Sequence, residues 1–260
     1  MRGSGNLRRW SVPLPLTLTL SPFAPKWRDG ERESHQAGRV MPSGRFITFE
    51  GGEGSGKSTQ VRLLADRLRA KGIDPILTRE PGGSPFAEQV RNLILNPETA
   101  PHSALSEALL FYAARADHVE KVIRPALVGG RWVISDRFSD STRVYQVEAG
   151  GLPLDVFKAF ELIVVKLTYP DLTFILDIPA EVGLQRATTR RLARAIAGED
   201  ADAYEKRDLE FHERLREGYL GIAKAEPRRC KVIDGTAPPE AVAAEVWAQV
   251  ERRMPPQGRA

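Results

Sequence analysis

From residue 45 onward, short apolar runs alternate with longer segments whose apolar residues recur at helical spacing. The runs 45-RFITFE-50, 75-PILT-78, 131-RWVIS-135, 171-DLTFILDI-178 and 230-CKVID-234 are β-rich and read as strands. Helices are expected at about 57–71, 85–95, 103–129, 151–167, 202–225 and 238–253. Apolar strands separated by amphipathic helices predict a parallel sheet covered on both faces, a single α/β domain with five parallel strands. No internal repeat interrupts this rhythm.

Composition narrows the classes without choosing among them. A chain of 260 residues can bury one good core with a small lid, hardly two large domains. Its net charge of +4 sits wholly in residues 1–40, where seven basic side chains face three acidic ones, while the remaining 220 residues carry 31 of each. The high pI therefore belongs to the tail, and a nucleic-acid partner is not expected. The single cysteine, Cys230, excludes an intrachain disulfide and a multi-cysteine zinc site, and His35, His102, His118 and His212 show no metal-ligand spacing. No apolar run reaches the roughly 20 residues of a membrane span. A reducing, cytoplasmic compartment fits these features best.

The first 40 residues stand apart. In 12-VPLPLTLTLSPFAP-25 an apolar patch follows basic residues, a weak echo of a signal peptide, but prolines interrupt it and no small-residue cleavage site follows. We expect residues 1–40 to be a disordered extension and 41–260 to form the domain. A second expectation is that translation starts at Met41, directly before the first strand; natural peptides from upstream of Met41, seen by mass spectrometry, would refute it.

Candidate chemistry begins in 46-FITFEGGEGSGKSTQ-60. Gly51, Gly56, Lys57 and Ser58 satisfy G-x-x-x-x-G-K-[ST], with a strand before and a helix after, which is the context the motif requires. Backbone N–H groups of Gly51, Gly52, Glu53, Gly54, Ser55 and Gly56, and the helix start at Lys57, Ser58 and Thr59, can converge on phosphate oxygens. Lys57 reaches the terminal phosphates and Ser58 offers its hydroxyl to Mg²⁺. A guanine-reading [NT]-K-x-D is absent from the chain, which argues against a switch GTPase. In 131-RWVISDRFSDSTRVYQ-146 a strand delivers Asp136 at its carboxyl end, where it can hold Mg²⁺ through water opposite Ser58. Arg137 follows, a planar fork suited to a second phosphate; a structural Asp-Arg ion pair is the plainer alternative.

Four signatures in order, the phosphate loop with its acid Glu53, 79-REPGG-83, 111-FYAAR-115 and 136-DRFSDSTRVYQ-146, resemble those of bacterial thymidylate kinases over about residues 43–253. The phosphate loop is generic, whereas the other three together are specific. The resemblance implies a nucleoside-monophosphate-kinase fold with a closing lid, transfer of phosphate from Mg-ATP to dTMP in dTTP synthesis, and a homodimer. Phe111 and Arg115 lie four apart on one helix and share a face; the family's matching residues stack on and hydrogen-bond the base. Pro81 lies near the base by resemblance, Glu53 matches the loop acid that meets the sugar 3′-hydroxyl, and Tyr145 the tyrosine beneath the deoxyribose. Ser141 and Thr142 occupy positions near the base, and Gln146 is a further polar candidate. Thr142 could instead be helix surface, Arg79 and Glu80 could pair with neighbours, and Tyr112 is expected in packing.

The lid match is looser. Only Gly52, Glu53, Gly54 and Ser55 lie between Gly51 and Gly56, so the catalytic cation must come from elsewhere. The segment 186-RATTRRLARAIAGEDADAYE-205 supplies Arg186, Arg190, Arg191 and Arg194, of which Arg190 best matches the family's lid arginine. Ala203 stands where many relatives carry arginine. Lys57, Arg137 and Arg190 are thus the expected catalytic cations, 233-IDGT-236 an expected part of the adenine pocket, and Cys230 a packing residue. A kinase for another nucleoside monophosphate and a non-catalytic ATP-binding module remain the alternatives.

Overall fold

The computed structural model describes residues 44–96, 98–196 and 207–256. Five strands, β1 (Phe46–Glu50), β2 (Ile76–Arg79), β3 (Val133–Asp136), β4 (Leu172–Asp177) and β5 (Cys230–Asp234), pair in parallel in the order β2-β3-β1-β4-β5. The crossovers are helical: α1 (Lys57–Ala70), α2 (Pro85–Leu95), α3 (Ala104–His118), α4 (Arg124–Val128), α5 (Ser139–Thr142), α6 (Leu154–Phe160), α7 (Ala180–Ile196), α8 (Leu209–Ala225) and α9 (Pro239–Arg253).

The central strand β1 shows why both faces are covered. Every residue of 46-FITFE-50 is buried, and the two-residue period of a strand divides them. Ile47 and Phe49 face Val61, Leu64, Ala65 and Leu68 of α1 together with Val242, Val246, Trp247 and Val250 of α9. Phe46 faces the other way, into the cluster of α3, α4 and α6 that holds Tyr112, Ile123 and Phe157. A third cluster, built on Ile175 and Cys230, carries α2 and α8. Helix starts are marked locally: Ser84, Ser103 and Asp208 each accept a hydrogen bond from a backbone N–H in the first turn that follows.

The five strands lie where the apolar runs put them. The helices differ in four places, one of them 151–167, where α6 gives way to a π-helical turn, Glu161–Val165. Residues 103–129 are not one regular helix, since α3 passes through a π-helical turn, Val119–Ile123, before α4. A helix expected from 202 starts at Leu209, after the Asp208 cap, and α7 takes up 180–196. The segment after β3, to which no long helix was assigned, is helical as α5 and a π-helical turn, Arg143–Glu148. Its polar residues mask the apolar period because they face a cavity rather than the core. The expectations for residues 1–40 and for 202-DAYE-205 lie outside the described residues.

Candidate active site

The carboxyl ends of β1 and β3 lie side by side, Phe49 opposite Asp136, so the loops that follow them meet. After β1 the chain turns through Gly51, at φ 137°, into the phosphate loop, and Gly56, at φ 95°, starts α1 from the left-handed region that glycine tolerates. Lys57 folds back under the loop: its Nζ donates to the carbonyls of Gly51 at 3.1 Å and Gly52 at 2.7 Å and to Ser55 Oγ at 3.2 Å. Burial, reinforced by the neighbouring Arg137, lowers the Lys57 ammonium to a pKa of about 8.

Asp136 and Ser58 meet across the loop mouth, the hydroxyl donating to the carboxylate. Among the described residues no cluster of three or more His, Cys, Asp or Glu could hold a metal by itself. One carboxylate and one hydroxyl, both hard oxygen donors beside a phosphate loop, nevertheless fit a magnesium ion that takes its other ligands from nucleotide and water.

Arg137 sits at φ 70°, a left-handed conformation that a long side chain seldom adopts. Both flanking peptides are pinned: the Arg137 N–H donates to the Phe49 carbonyl at 2.9 Å, and the Phe138 N–H donates to Glu50 Oε1 at 2.7 Å. The guanidinium consequently turns over the phosphate loop. Its Nη1 donates to Gly51 O, Ser141 Oγ and Tyr219 OH at 3.0–3.2 Å, and its Nη2 to Glu53 at 2.7 Å and Tyr145 OH at 3.1 Å. Burial, with Asp140 nearby, pushes the Glu50 carboxyl up to a pKa of about 8.

From there α5 and its π-helical continuation place Phe138, Ser141, Thr142, Tyr145 and Gln146 at i, i+3, i+4, i+7 and i+8, one helical face, and all five line a cavity of about 490 Å³. Opposite them the cavity is closed by Pro81, Arg91, Leu95, Phe111 and Arg115. Arg115 is 2 % exposed and lies between the rings of Tyr112 and Phe138, 4.7 and 5.3 Å from their centroids. Its Nε donates to Glu80 Oε2 at 2.7 Å and its Nη2 to Thr142 Oγ1 at 2.9 Å. His118 holds the other Glu80 oxygen at 2.9 Å and Thr78 Oγ1 at 2.6 Å. Burial alone would raise the Glu80 carboxyl, but Arg115 and His118 hold it below its usual range.

A second cleft, of about 1160 Å³, follows the phosphate loop from Glu53 to Thr59 and includes Arg62, Arg79 and Asp136. Four residues, Glu53, Glu80, Arg91 and Arg137, line both spaces and form their shared wall. The loop tip rests on α7, since a Cβ on Gly183 would lie 2.5 Å from the Glu53 carbonyl. The Gly235 carbonyl in 233-IDGT-236 accepts from Arg186 at 3.0 Å, and the Gly235 N–H donates to Asp177 at 2.8 Å.

The expected residues from the phosphate loop, 111-FYAAR-115 and 136-DRFSDSTRVYQ-146 thus converge on one site, with Pro81. Thr142 is buried in the cavity wall, not on a helix surface, and Tyr112 packs, its hydroxyl donating to Glu161 at 2.6 Å. Arg79 pairs with Glu88 at 3.0 Å while lining the second cleft. Cys230 is buried in β5, its thiol pushed up to about 12 by burial. The side chain of Arg190 lies outside the described residues, as do those of Arg191 and Arg194. Glu50, Glu80, His118, Arg91 and Tyr219 complete the site and were not singled out as functional from the sequence. For Glu50 and Glu80 the signal was available, an acid at the carboxyl end of an apolar strand.

The thymidylate kinase family profile matches residues 49–246. The thymidylate kinase of Nitrobacter winogradskyi is 54% identical over 210 residues, covering 81% of this chain and 89% of that protein. That of Caulobacter vibrioides is 53% identical over 214 residues, covering 82% and 99%. The crystal structure of thymidylate kinase from Ehrlichia chaffeensis superposes with a TM-score of 0.62 at 36% identity, covering 80% of this chain and 99% of that one.

Proposed function

The chain belongs to the thymidylate kinase family and phosphorylates dTMP to dTDP with ATP, and on that premise we propose which residues bind the two substrates and how they act. The observation that carries the assignment is the shared wall: the cavity lined by residues 138–146 and the phosphate-loop cleft meet at Arg137 and Glu53. The acceptor lies in the cavity with its base between Phe111, Pro81 and Arg115, among Ser141, Thr142 and Gln146. Its deoxyribose packs on Tyr145 with the 3′-hydroxyl toward Glu53, and its phosphate lies on Arg137. ATP phosphates lie on the loop of residues 51–59.

The acceptor phosphate is already anionic near neutral pH, so catalysis is positioning and charge neutralisation, with no strong general base required. Arg137 holds the attacking phosphate in a fixed direction because its backbone and both nitrogens are tied to the loop. Lys57 leaves the Gly51 and Gly52 carbonyls for the terminal phosphates of ATP. Ser58 and Asp136 would hold Mg²⁺, which would supply neutralisation of the phosphate charge. Arg190 supplies the lid cation, and lid closure excludes water, which suppresses ATP hydrolysis. The exposed side chains of Leu162, Ile163 and Leu167 form an apolar surface suited to a second copy in a homodimer. Among the described residues no helix is long and apolar enough to cross a membrane, and a single cysteine suits the reducing cytoplasm.

The test is ADP release from Mg-ATP with dTMP, dUMP, UMP, AMP and CMP offered separately. Turnover strongest with dTMP, and lowered roughly 10²–10³-fold in Lys57→Ala, is the expected result; turnover strongest with another acceptor would overturn the base assignment. Arg190→Ala should lower turnover far more than dTMP affinity, and unchanged turnover would move the lid role to a neighbouring arginine.

A further inference from the structure

Two buried polar atoms without a hydrogen-bond partner among the described residues belong to side chains lining the acceptor cavity: Arg115 Nη1, a donor, and Gln146 Oε1, an acceptor. Neither is left over by accident of rotation. Arg115 is fixed by Glu80, Thr142 and the two rings that flank it. Gln146 is fixed by Glu107, in the first turn of α3, whose Oε2 accepts from Gln146 Nε2 at 2.8 Å. A carboxylate only accepts, so this bond selects one of the two amide orientations, the one in which Nε2 is consumed and Oε1 remains. Glu107 is itself outside the cavity lining, 18 % exposed at its side chain, with His102 Nε2 3.6 Å from its other oxygen.

We propose that Glu107 is a positioning residue for base selection: by fixing the Gln146 amide it leaves an acceptor on a side chain lining the cavity that the Arg115 donor also lines. That pair complements a pyrimidine edge carrying an acceptor next to a donor, the O4 and N3–H of thymine or uracil. Cytosine carries a donor at N4 and an acceptor at N3, which sets donor against donor and acceptor against acceptor. The inference rests on the reading of the cavity as the base pocket. An uncharged amide at position 107 can donate as well as accept, so it would release Gln146 to turn its NH₂ toward the ligand.

The experiment measures kcat/KM for dTMP and dCMP in the unaltered enzyme, Glu107→Gln, Gln146→Ala and the double variant, with Tm as the check of folding. Glu107→Gln should lower the dTMP:dCMP ratio roughly tenfold, the worth of about one hydrogen bond. In the Gln146→Ala background the same substitution should change the ratio no further, because its effect passes through that amide. An unchanged ratio in Glu107→Gln, or an equal fall in both backgrounds, would overturn the proposal and leave Glu107 as a first-turn acid serving the helix alone. Failure of the base-pocket reading shows differently: Gln146→Ala by itself would leave the ratio unmoved. Should Glu107→Gln fold poorly, Glu107→Ala carries the same cycle.

Discussion

In the acceptor cavity Arg115 has two of its hydrogen-bonding directions committed to protein and a third, Nη1, without a partner among the described residues, whereas in the phosphate cradle Lys57 spends its hydrogen bonds on loop carbonyls. The first arrangement is complete before substrate arrives; the second has to be exchanged. Both side chains are buried, so the difference lies in their partners. The cavity is walled by packed helices, where an unpaired ion is costly, and Arg115 has a fixed counter-ion in Glu80. The cradle opens to solvent at Ser58 and Asp136, and its cation waits on backbone oxygens that phosphate can replace. On the proposed assignment, selection of the acceptor is built into the ground-state structure, while charge neutralisation is assembled on binding.

The largest effect should come from breaking the prebuilt half. Arg115→Ala removes a donor to the base and leaves Glu80 buried with His118 alone. Breaking a buried ion pair costs about 3–5 kcal/mol, so we expect a clear drop in Tm together with a rise in KM for dTMP. A lowered Tm with unchanged KM would make Arg115 purely structural and remove the contrast.

Lys57→Ala tests the other half. Loss of a donor aimed at developing phosphate charge should lower kcat by roughly 10²–10³-fold, with dTMP affinity measured by calorimetry unaffected, because Lys57 lines the second cleft and not the cavity. A comparable fall in dTMP affinity would show the two halves to be one coupled unit.

Glu50 sharpens the comparison from beneath, since it braces Arg137 at the wall between them. Its Oε2 accepts from Ser141 Oγ at 2.6 Å and its Oε1 from the Phe138 N–H, and burial raises it to about 8. A carboxyl whose folded pKa exceeds its unfolded value stays protonated in the native state while the unfolded chain ionises. Its contribution to stability is complete below about pH 4.5 and is lost as pH rises toward 8, with a slope of at most about 1.4 kcal/mol per pH unit. Denaturant titrations of Glu50→Gln should lack that slope; an identical pH profile in the variant would place Glu50 in the ionised state throughout.

How far the sequence disclosed all this follows from the distance over which each feature is encoded. Strands and phosphate loop are local: 46-FITFE-50 is a short β-rich run, and the glycines stand directly behind it. The helical face formed by residues 138–146 is local too, yet polar residues lining a cavity hide its period, and the π-helical turn after α5 leaves no mark in the apolar spacing. The buried supports were least legible. Glu50 finds Ser141 across 91 residues and Tyr219 across 169, and Glu80 finds Arg115 across 35. No pattern along the chain pairs such residues; only the parallel sheet, by bringing β1, β2 and β3 to one edge, does so.

The smallest expected signal addresses the exchange at Lys57 directly. With a pKa of about 8 in the free protein, Lys57 is partly neutral at pH 8, and phosphate oxygens arriving at Nζ favour the charged form. Nucleotide binding should then take up protons, about half a proton at pH 8 and less below pH 7, where Lys57 is charged in both states. Calorimetric titration of ADP in buffers of different ionisation enthalpy reads that number, and Lys57→Arg, always protonated, should abolish it. If binding took up no protons at pH 8, the lysine would already be fully charged, and the cradle would be as prebuilt as the cavity beside it.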